Sequence, residues 1–292
     1  MRNAIRYFYN IYCTDIIKNN NNYKILLNND IYYLVLFNGD ISLVNYIYKY
    51  LISNNIYCHE IILNKDNQYI TTIENENYIL LKIHSEIKKI TFSDVVNFDI
   101  MIEKNKKCNW YQLWCEKLDY YEYQMSQFKK KYPKLYESFS YYSGLSETAI
   151  SLASSIKNEN VNLYINHKRI LKNCSSIDFY NPANMIFDVK VRDVCEYFKN
   201  QFFYVENPIK EVRQYLDYIK LSKEEAILFL SRLIYPSYYF DLYDEIIQDR
   251  VDADRIDMIL KRTNDYELFI KEIYSYMNFI YRMPEIEWLI KT

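Results

Sequence analysis

Glycine is almost absent from this chain: its 292 residues include only two glycines, Gly39 and Gly144. Average usage is roughly 7%. Loops that cradle phosphate with backbone N–H groups need several closely spaced glycines, as in G-x-G-x-x-G or G-x-x-x-x-G-K-[ST]. Two isolated glycines can form neither loop. The sequence therefore excludes the dinucleotide-binding and P-loop classes, and any phosphate chemistry must proceed without a glycine cradle.

Composition and charge favour a packed domain that does not bind nucleic acid. Half of the residues are hydrophobic and 25% are charged, which suits a folded protein. At this length we expect one large domain or two lobes that share a cleft. The 36 basic and 38 acidic residues give a formal net charge of −2. Because base-stacking surfaces combine aromatic residues with a basic excess, the 34 tyrosines do not predict a nucleic-acid site.

The cysteines and the apolar segments give a further set of exclusions. The six cysteines show no C-x-x-C spacing and no clustering with histidine, so no zinc site is predicted. No apolar run approaches the ~18 residues of a membrane span, and the N-terminus lacks the apolar core of a signal peptide. We therefore expect a soluble, cytoplasmic protein, away from membranes, with reduced cysteines that mostly pack in the core.

The N-terminal region alternates polar and apolar residues in short segments. A helix is predicted over residues 3–13 and another over 41–54. Period-two segments bounded by polar turns, such as Asn28–Asp30, indicate strands. The predicted strands are 23–27, 31–37, 60–63, 69–73 and 78–83. We expect an antiparallel sheet of about five strands with the 41–54 helix on one side.

Beyond residue 90 the pattern becomes helical. Trp110, Trp114, Leu118 and Met125 form one stripe of a helix over 109–131, which we expect to be buried and to end at Pro133. The next helix, over 134–156, is expected to break near Gly144. Two short strands, 162–165 and 185–189, come next. Further helices are predicted at 192–203, 207–219, 223–235, 238–249, 254–262 and 265–281, with a Ser222–Glu225 capping box.

These patterns predict an α+β fold with two lobes. Residues 1–88 form a small sheet lobe and residues 89–292 form a large helical lobe. A protein partner or a small ligand is expected in the cleft between them, because ligand sites commonly lie between lobes.

Several segments resemble one known superfamily. The turn Lys65-Asp66-Asn67-Gln68-Tyr69, the segment Asn166-His167-Lys168-Arg169, and Met185–Asp188 followed by Arg192–Tyr197 are similar in order and spacing to motifs of the aminoglycoside phosphotransferase/choline kinase superfamily. The closing segments Leu233–Phe240 and Pro284–Leu289 resemble its spore-coat CotS/YutH branch. The resemblance covers residues 20–290 approximately and implies a bilobal, protein-kinase-like fold.

The same resemblance implies which residues would be catalytic, and most of them differ here. The superfamily places an Asp two residues after the loop histidine, where this chain has Arg169. Cys174 stands where an Asn would hold a metal ion, and the strand over 31–37 has no lysine for phosphate. Only Asp188 remains as a possible metal carboxylate. We interpret the chain as a catalytically degenerate member.

The other charged residues are predicted to have structural roles. His167 is expected to hold its loop by hydrogen bonds, although His167-Lys168-Arg169 could also act as an anion clamp. Arg192 and Glu196 are four residues apart, which predicts a surface ion pair. The basic run Lys129–Lys131 is expected to face solvent. His59 and His84 have no partner at ligand spacing.

Three hypotheses about function follow. The first is a non-catalytic, kinase-like binding or structural protein (a pseudokinase) without a cofactor, in the mother-cell cytoplasm or spore coat. The second is an active phosphotransferase that uses ATP and Mg²⁺, with Asp188 on the metal, to modify a small hydroxylated substrate. The third is a helical interaction protein with an accidental resemblance to kinases. We favour the first, so whether the protein is an enzyme stays open, with the expectation that it is not.

Overall fold

The structure, a computed structural model, describes residues 1–19, 22–28, 30–84, 87–157, 159–171 and 173–290. These residues form two compact units. The first unit contains residues 1–91, 167–169 and 173–186, and the second contains the rest. Neither unit is one uninterrupted length of chain. The sequence-based division into a sheet lobe over residues 1–88 and a helical lobe over residues 89–292 stays a prediction.

The first unit is built on a six-stranded antiparallel sheet. Its strands pair in the order β1-β2-β3-β6-β4, and β5 also pairs with β6. The strands are β1 (Asp15–Asn19), β2 (Asn22–Leu27), β3 (Asp30–Leu36), β4 (Glu60–Ile62), β5 (Ile70–Ile73) and β6 (Glu76–Ile83). The helices before, between and after them are α1 (Arg2–Tyr9), α2 (Ile41–Ser53) and α6 (Ser176–Phe179).

Strand β6 is buried on both faces because α1 packs on one face of the sheet and α2 on the other. Successive side chains of a strand point to opposite faces of the sheet. Leu80 accordingly joins one core cluster with Ile5 of α1, whereas Leu81 joins another with Val44 of α2. The predicted sheet and its 41–54 helix are confirmed.

Strand β1 was not predicted, and one predicted turn is only partly described. The sequence of β1, DIIKN, is mostly exposed and shows no alternation of buried positions, so periodicity could not reveal it. In the turn over residues 28–30, Asn28 has φ 52°, a left-handed conformation that Asn tolerates better than most residues. Asn29 lies outside the described residues.

The second unit is mainly helical and contains a three-stranded sheet in the order β7-β8-β9. Its strands are β7 (Met101–Lys107), β8 (Asn160–His167) and β9 (Met185–Val189). The last residue of β8 and the first two residues of β9 belong to the first unit. The helices are α3 (Phe92–Asn97), α4 (Trp110–Phe128), α5 (Pro133–Ser155), α7 (Arg192–Tyr204), α8 (Ile209–Tyr218), α9 (Lys223–Ile234), α10 (Ser237–Ile247), α11 (Asp257–Leu260), α12 (Thr263–Tyr281) and α13 (Glu287–Ile290).

The tryptophan stripe of α4 is buried as predicted. Trp110 and Trp114 are almost completely inaccessible, and Leu118 and Met125 are also buried. Trp114 stacks on Tyr235 with ring centroids 4.3 Å apart and an interplanar angle of 10°. This stripe anchors α4 in the core of the helical unit.

One expectation about helices α4 and α5 is confirmed and one was wrong. Helix α4 ends before Pro133, as predicted, and Pro133 occupies the first turn of α5. A proline fits there since the first N–H groups of a helix have no intrahelical acceptor. Gly144 lies inside α5 without interrupting it. One glycine in a long helix costs only ~1 kcal/mol, which the packing of α5 offsets.

The later helices follow the sequence pattern closely, with one exception. Ser222 and Glu225 form the reciprocal capping box at the start of α9. The helix predicted over 254–262 is instead a 3₁₀ turn over Ala253–Ile256 followed by the short α11.

Strand β7 was also missed, because it is polar, largely exposed and bulged where it pairs with β8.

Surface and membrane expectations can be compared directly. Lys129, Lys130 and Lys131 are exposed as predicted. Of the cysteines, three are buried (Cys58, Cys174 and Cys195) and three are partly buried (Cys13, Cys108 and Cys115). Within the described ranges, every helix is too short or too polar to cross a lipid bilayer.

Candidate functional site

His167 lies at the end of β8, in the first unit, and is buried. Its Nε2 is 2.7 Å from the carbonyl oxygen of Phe179. Because a carbonyl only accepts, Nε2 must carry the proton and donate. The imidazole also stacks on the Phe179 ring at 4.2 Å. These contacts hold the loop after β8 against α6, as the structural interpretation expected.

Backbone hydrogen bonds join the segment 174–176 to residues 88–90 of the same unit. Ser176 N donates to Lys88 O at 2.8 Å, and Ile90 N donates to Cys174 O at 3.0 Å. The buried His59 is 2.9 Å from the Ser176 carbonyl through Nε2, and burial lowers the pKa of this imidazole. Cys174 stands at an expected metal-ligand position, but here it is buried and its carbonyl oxygen accepts a backbone hydrogen bond.

Lys168 and Arg169 make different contacts. Lys168 Nζ donates to Ala183 O at 2.8 Å, and burial lowers the pKa of this amine. Arg169 is exposed and donates to the Lys168 carbonyl at 3.1 Å. The two cations therefore donate to different carbonyl oxygens. The anion clamp formed by His167, Lys168 and Arg169 stays a hypothesis.

Asp188 lies in β9 within the second unit, and its carboxylate is surrounded by donors. Oδ1 accepts from Trp110 Nε1 at 2.7 Å and from the Val189 amide at 2.7 Å. Oδ2 accepts from the Arg192 guanidinium at 2.5 Å. The side chains of Asp188 and Arg192 are only 12% and 9% exposed. This carboxylate is therefore ion-paired and largely buried.

A second buried group of charges lies on the adjoining helices. Glu196 of α7 forms ion pairs at 2.7 Å with both Lys199 and Arg232. Ser237 Oγ donates to the same carboxylate, and Lys199 Nζ donates to Ser237 Oγ at 2.6 Å. Burial alone raises the pKa of Glu196, but attraction to Lys199 and Arg232 outweighs it and holds the pKa well below the usual range.

These contacts correct the predicted surface pair of Arg192 and Glu196. Both residues are buried, and each has another principal partner: Asp188 for Arg192 and Arg232 for Glu196. Spacing along a helix identifies possible pairs but not the burial that selects among them. Arg232 was missed, although it is the only charged residue in the segment Ala226–Ile234, and such a residue is a sequence signal for a buried ion pair.

Trp110 connects the two groups of charges. Its indole N–H is bonded to Asp188, and the Arg232 guanidinium lies over its ring at 5.2 Å. Cations are attracted to the negative face of an aromatic ring. Asp188, Trp110, Arg232 and Glu196 thus form one polar network through the core of the helical unit. We call these four residues with Arg192 and Lys199 the Asp188 network.

Two further carboxylates, Asp178 and Asp193, follow His167 in the sequence and belong to different units. Asp178 is exposed in α6 of the first unit and accepts from Ser175 Oγ at 3.0 Å. Asp193 is buried in the first turn of α7 in the second unit. Within the described part of the chain, no group of three His, Cys, Asp or Glu side chains is arranged to hold a metal ion.

Sequence comparison identifies the family. Residues 2–273 match the family described as "Spore coat putative kinase YutH". The chain belongs to this family. It is also 26% identical over 209 residues to the endospore coat-associated protein YutH of Bacillus subtilis (strain 168). That match covers 62% of this chain and 61% of the relative's length.

Solved structures agree on the fold. An aminoglycoside phosphotransferase from Alicyclobacillus acidocaldarius superimposes with a TM-score of 0.61 at 8% identity, covering 95% of this chain and 96% of that one. The AMP-bound spectinomycin phosphotransferase gives a TM-score of 0.55 at 12% identity, covering 94% and 93%. This YutH-family chain therefore has the α+β, kinase-like phosphotransferase fold, and the hypothesis of an accidental resemblance was wrong.

Proposed function

We propose that this YutH-family protein is a pseudokinase, which acts by binding a protein partner or a small ligand in a spore-coat setting and transfers no phosphate. The observation that carries the proposal is the ion pair between Asp188 and Arg192 at 2.5 Å. The coat setting is inferred from the family description and from the name of the Bacillus subtilis relative.

The donor set around Asp188 is a poor fit for Mg²⁺. The resemblance makes Asp188 the metal carboxylate, yet both of its oxygens already accept from Trp110 and Arg192. A guanidinium stays protonated at physiological pH, so Arg192 would repel a divalent cation at this position. Mg²⁺ prefers oxygen ligands in octahedral geometry, and one carboxylate with a fixed cation beside it does not supply them.

The loop that would position the attacking hydroxyl is equally unsuited. Phosphoryl transfer needs a carboxylate to orient the nucleophile, and the resemblance assigns that position to Arg169. Arg169 cannot accept a proton. His167 already donates its Nε2 proton to a backbone carbonyl inside the packed loop. The residues at the expected catalytic positions therefore support binding without turnover.

The alternative, an active ATP-dependent phosphotransferase, is tested by assaying ATP turnover beside the Asp188→Asn variant. Asparagine keeps a hydrogen-bond acceptor for Trp110 but removes the charge that a metal would need. The spectinomycin phosphotransferase serves as the active reference for the same assay. We expect turnover in the reference and none above background in either form of this protein.

A thermal-shift titration with Mg·ATP separates binding from catalysis. A ligand at 100 times its Kd stabilises a folded protein by roughly 2.7 kcal/mol, which gives a measurable rise in Tm. We expect no rise. Turnover of about 1 s⁻¹, typical of the slower kinases, that is lost in Asp188→Asn would overturn the proposal, whereas equal turnover in both forms would indicate a contaminating enzyme.

A further inference from the structure

A second charged surface lies in the helical unit and shares no residue with the Asp188 network. It surrounds two open depressions with volumes of about 720 Å³ and 390 Å³. The larger is lined by residues between 252 and 262, and the smaller by Tyr132 and residues between 246 and 253. Asp252 lines both, so the two depressions adjoin.

Cations outnumber carboxylates on this surface, although the whole chain has a net charge of −2. We define the basic face as the charged residues that line the two depressions, together with the run that precedes Tyr132 and with Lys134. The cations are Lys129, Lys130, Lys131, Lys134, Arg250, Arg255, Lys261 and Arg262. The carboxylates are Asp249, Asp252, Asp254 and Asp257. Adding the exposed neighbours Glu137, Glu245 and Asp265 gives seven carboxylates against the eight cations, so the excess of positive charge is small.

Three of these four carboxylates contact a lysine. Lys134 contacts Asp254 at 2.7 Å and Asp257 at 2.8 Å, and this contact raises the pKa of the Lys134 amine. Lys131 contacts Asp249 at 3.4 Å. Asp252 accepts a hydrogen bond from the Asp254 amide at 2.8 Å. Lys134 is one cation shared by two carboxylates and Asp252 keeps its charge, so negative charge remains between the cations of the basic face.

Several of the cations have no such partner. Lys130, Arg250, Arg255 and Lys261 are exposed, and none forms an ion pair with any residue that the structure describes. Arg262 lies over the Phe202 ring at 4.5 Å, which holds its side chain without neutralising it. The basic face thus presents positive charge beside two depressions that can admit a ligand.

We propose that the basic face binds an acidic segment of a protein partner. The arrangement favours a peptide over nucleic acid because carboxylates are interleaved with the cations. A duplex carries a phosphate charge about every 1.7 Å, so its backbone would pass over Asp252 and its neighbours. A peptide can place individual Asp or Glu side chains on the cations and leave the carboxylates uncovered. Charge complementarity of this kind chiefly determines which partner is recognised and how fast it associates.

The probe is a fluorescein-labelled peptide of six glutamates, and the full chain is titrated against it by fluorescence anisotropy. We expect saturable binding at about 50 mM NaCl that weakens several-fold at about 300 mM, because salt screens exposed charges. A hexalysine peptide and a single-stranded DNA oligonucleotide of equal charge are titrated in parallel. We expect no binding of the first and weaker binding of the second.

The variant Lys130→Gln/Arg255→Gln/Lys261→Gln removes three unpaired cations of the basic face. Its matched control, Lys210→Gln/Lys220→Gln/Lys223→Gln, removes three exposed lysines from the α8–α9 region. We expect the first variant to weaken hexaglutamate binding about tenfold and the control less than twofold. Circular dichroism checks that both fold, and Lys130→Glu, an exposed single change, replaces the triple variant if it does not.

The proposal is overturned by any of three results. These are no anisotropy change with hexaglutamate, equal weakening in both triple variants, and tighter binding of the oligonucleotide than of the peptide. The last result would assign the basic face to nucleic acid. None of these results bears on the pseudokinase proposal, which depends on ATP turnover and on Asp188.

Discussion

The Glu196 carboxylate accepts a hydrogen bond from the Arg232 side chain at 2.7 Å, and both side chains are buried. Lys199 lies 2.7 Å from the same oxygen. Two cations thus share one carboxylate away from water. Removing one member of a buried ion pair is costly since it leaves the other charge uncompensated.

We therefore expect Glu196→Ala to lower the free energy of unfolding by about 3–5 kcal/mol. Urea unfolding followed by circular dichroism measures the loss. Glu272→Ala is the matched control, because Glu272 contacts Arg213 at 2.5 Å while both side chains are more than 40% exposed. The control should lose less than about 1 kcal/mol. Equal losses in the two variants would contradict the assignment of Glu196 to the core.

The low pKa of Glu196 also predicts sensitivity to acid. A carboxyl group whose pKa is lower in the folded state than the ordinary glutamate value of 4.5 adds stability above that pH. This stability disappears as the pH falls below about 4.5 toward the folded pKa. Urea titrations between about pH 6 and pH 3 should show a steeper decline for the natural protein than for Glu196→Gln. Parallel pH profiles would mean that Glu196 does not contribute.

His167 should matter for stability. His167→Ala removes the donor to the Phe179 carbonyl and the ring stacked on Phe179, so we expect a loss of about 2–4 kcal/mol. The comparison is His84→Ala, in which an exposed imidazole loses only its 2.9 Å contact with Glu60. That variant should stay within about 1 kcal/mol of the natural protein. A stability loss no larger than that of His84→Ala would contradict the conclusion that His167 holds the loop after β8.

The two glycines should respond in opposite directions to alanine. At Gly144 an added Cβ meets nothing within 4 Å, and alanine is the better helix former, so Gly144→Ala should stabilise by about 0.5–1 kcal/mol. At Gly39 the Cβ would lie 3.2 Å from the Phe37 ring and 3.3 Å from Lys168 Nζ. Because Phe37 is buried and Lys168 Nζ is bonded to the Ala183 carbonyl, neither group can shift freely, so alanine should destabilise. Thermal unfolding of the two variants in parallel measures both effects. Stabilisation at Gly39 would contradict this account.

Regular periodicity explains which elements could be predicted from sequence. Helix α2 and strand β6 have buried residues at the spacings that their geometry requires, and both were found within two residues of their observed ends. Strands β1 and β7 are largely exposed, so backbone pairing rather than a hydrophobic pattern defines them. Gly144 was misinterpreted because the effect of a glycine depends on its position within a helix, which local composition does not reveal.

The candidate site was harder to predict because its partners are distant in sequence. Asp188 was identified from the resemblance, but its contact with Trp110 joins residues 78 positions apart. Arg192 lies four residues from both Asp188 and Glu196, so spacing alone could not decide between them. Burial decided it, and burial is a property of the folded chain. Burial also shows that Asp188, a possible metal ligand in the sequence, is ion-paired with Arg192 in the folded chain.

The composition of the first compact unit has a consequence for the order of events during synthesis. Ile177 and Ala183 pack against Phe37, Val44 and Ile79 of the sheet unit. The ribosome makes these two residues long after the last strand of that sheet has left the exit tunnel. Domains generally fold as units, starting from the N-terminus. Part of the apolar surface of the sheet therefore stays exposed until residues 173–186 have also left the exit tunnel. During this interval the nascent chain most needs protection from aggregation.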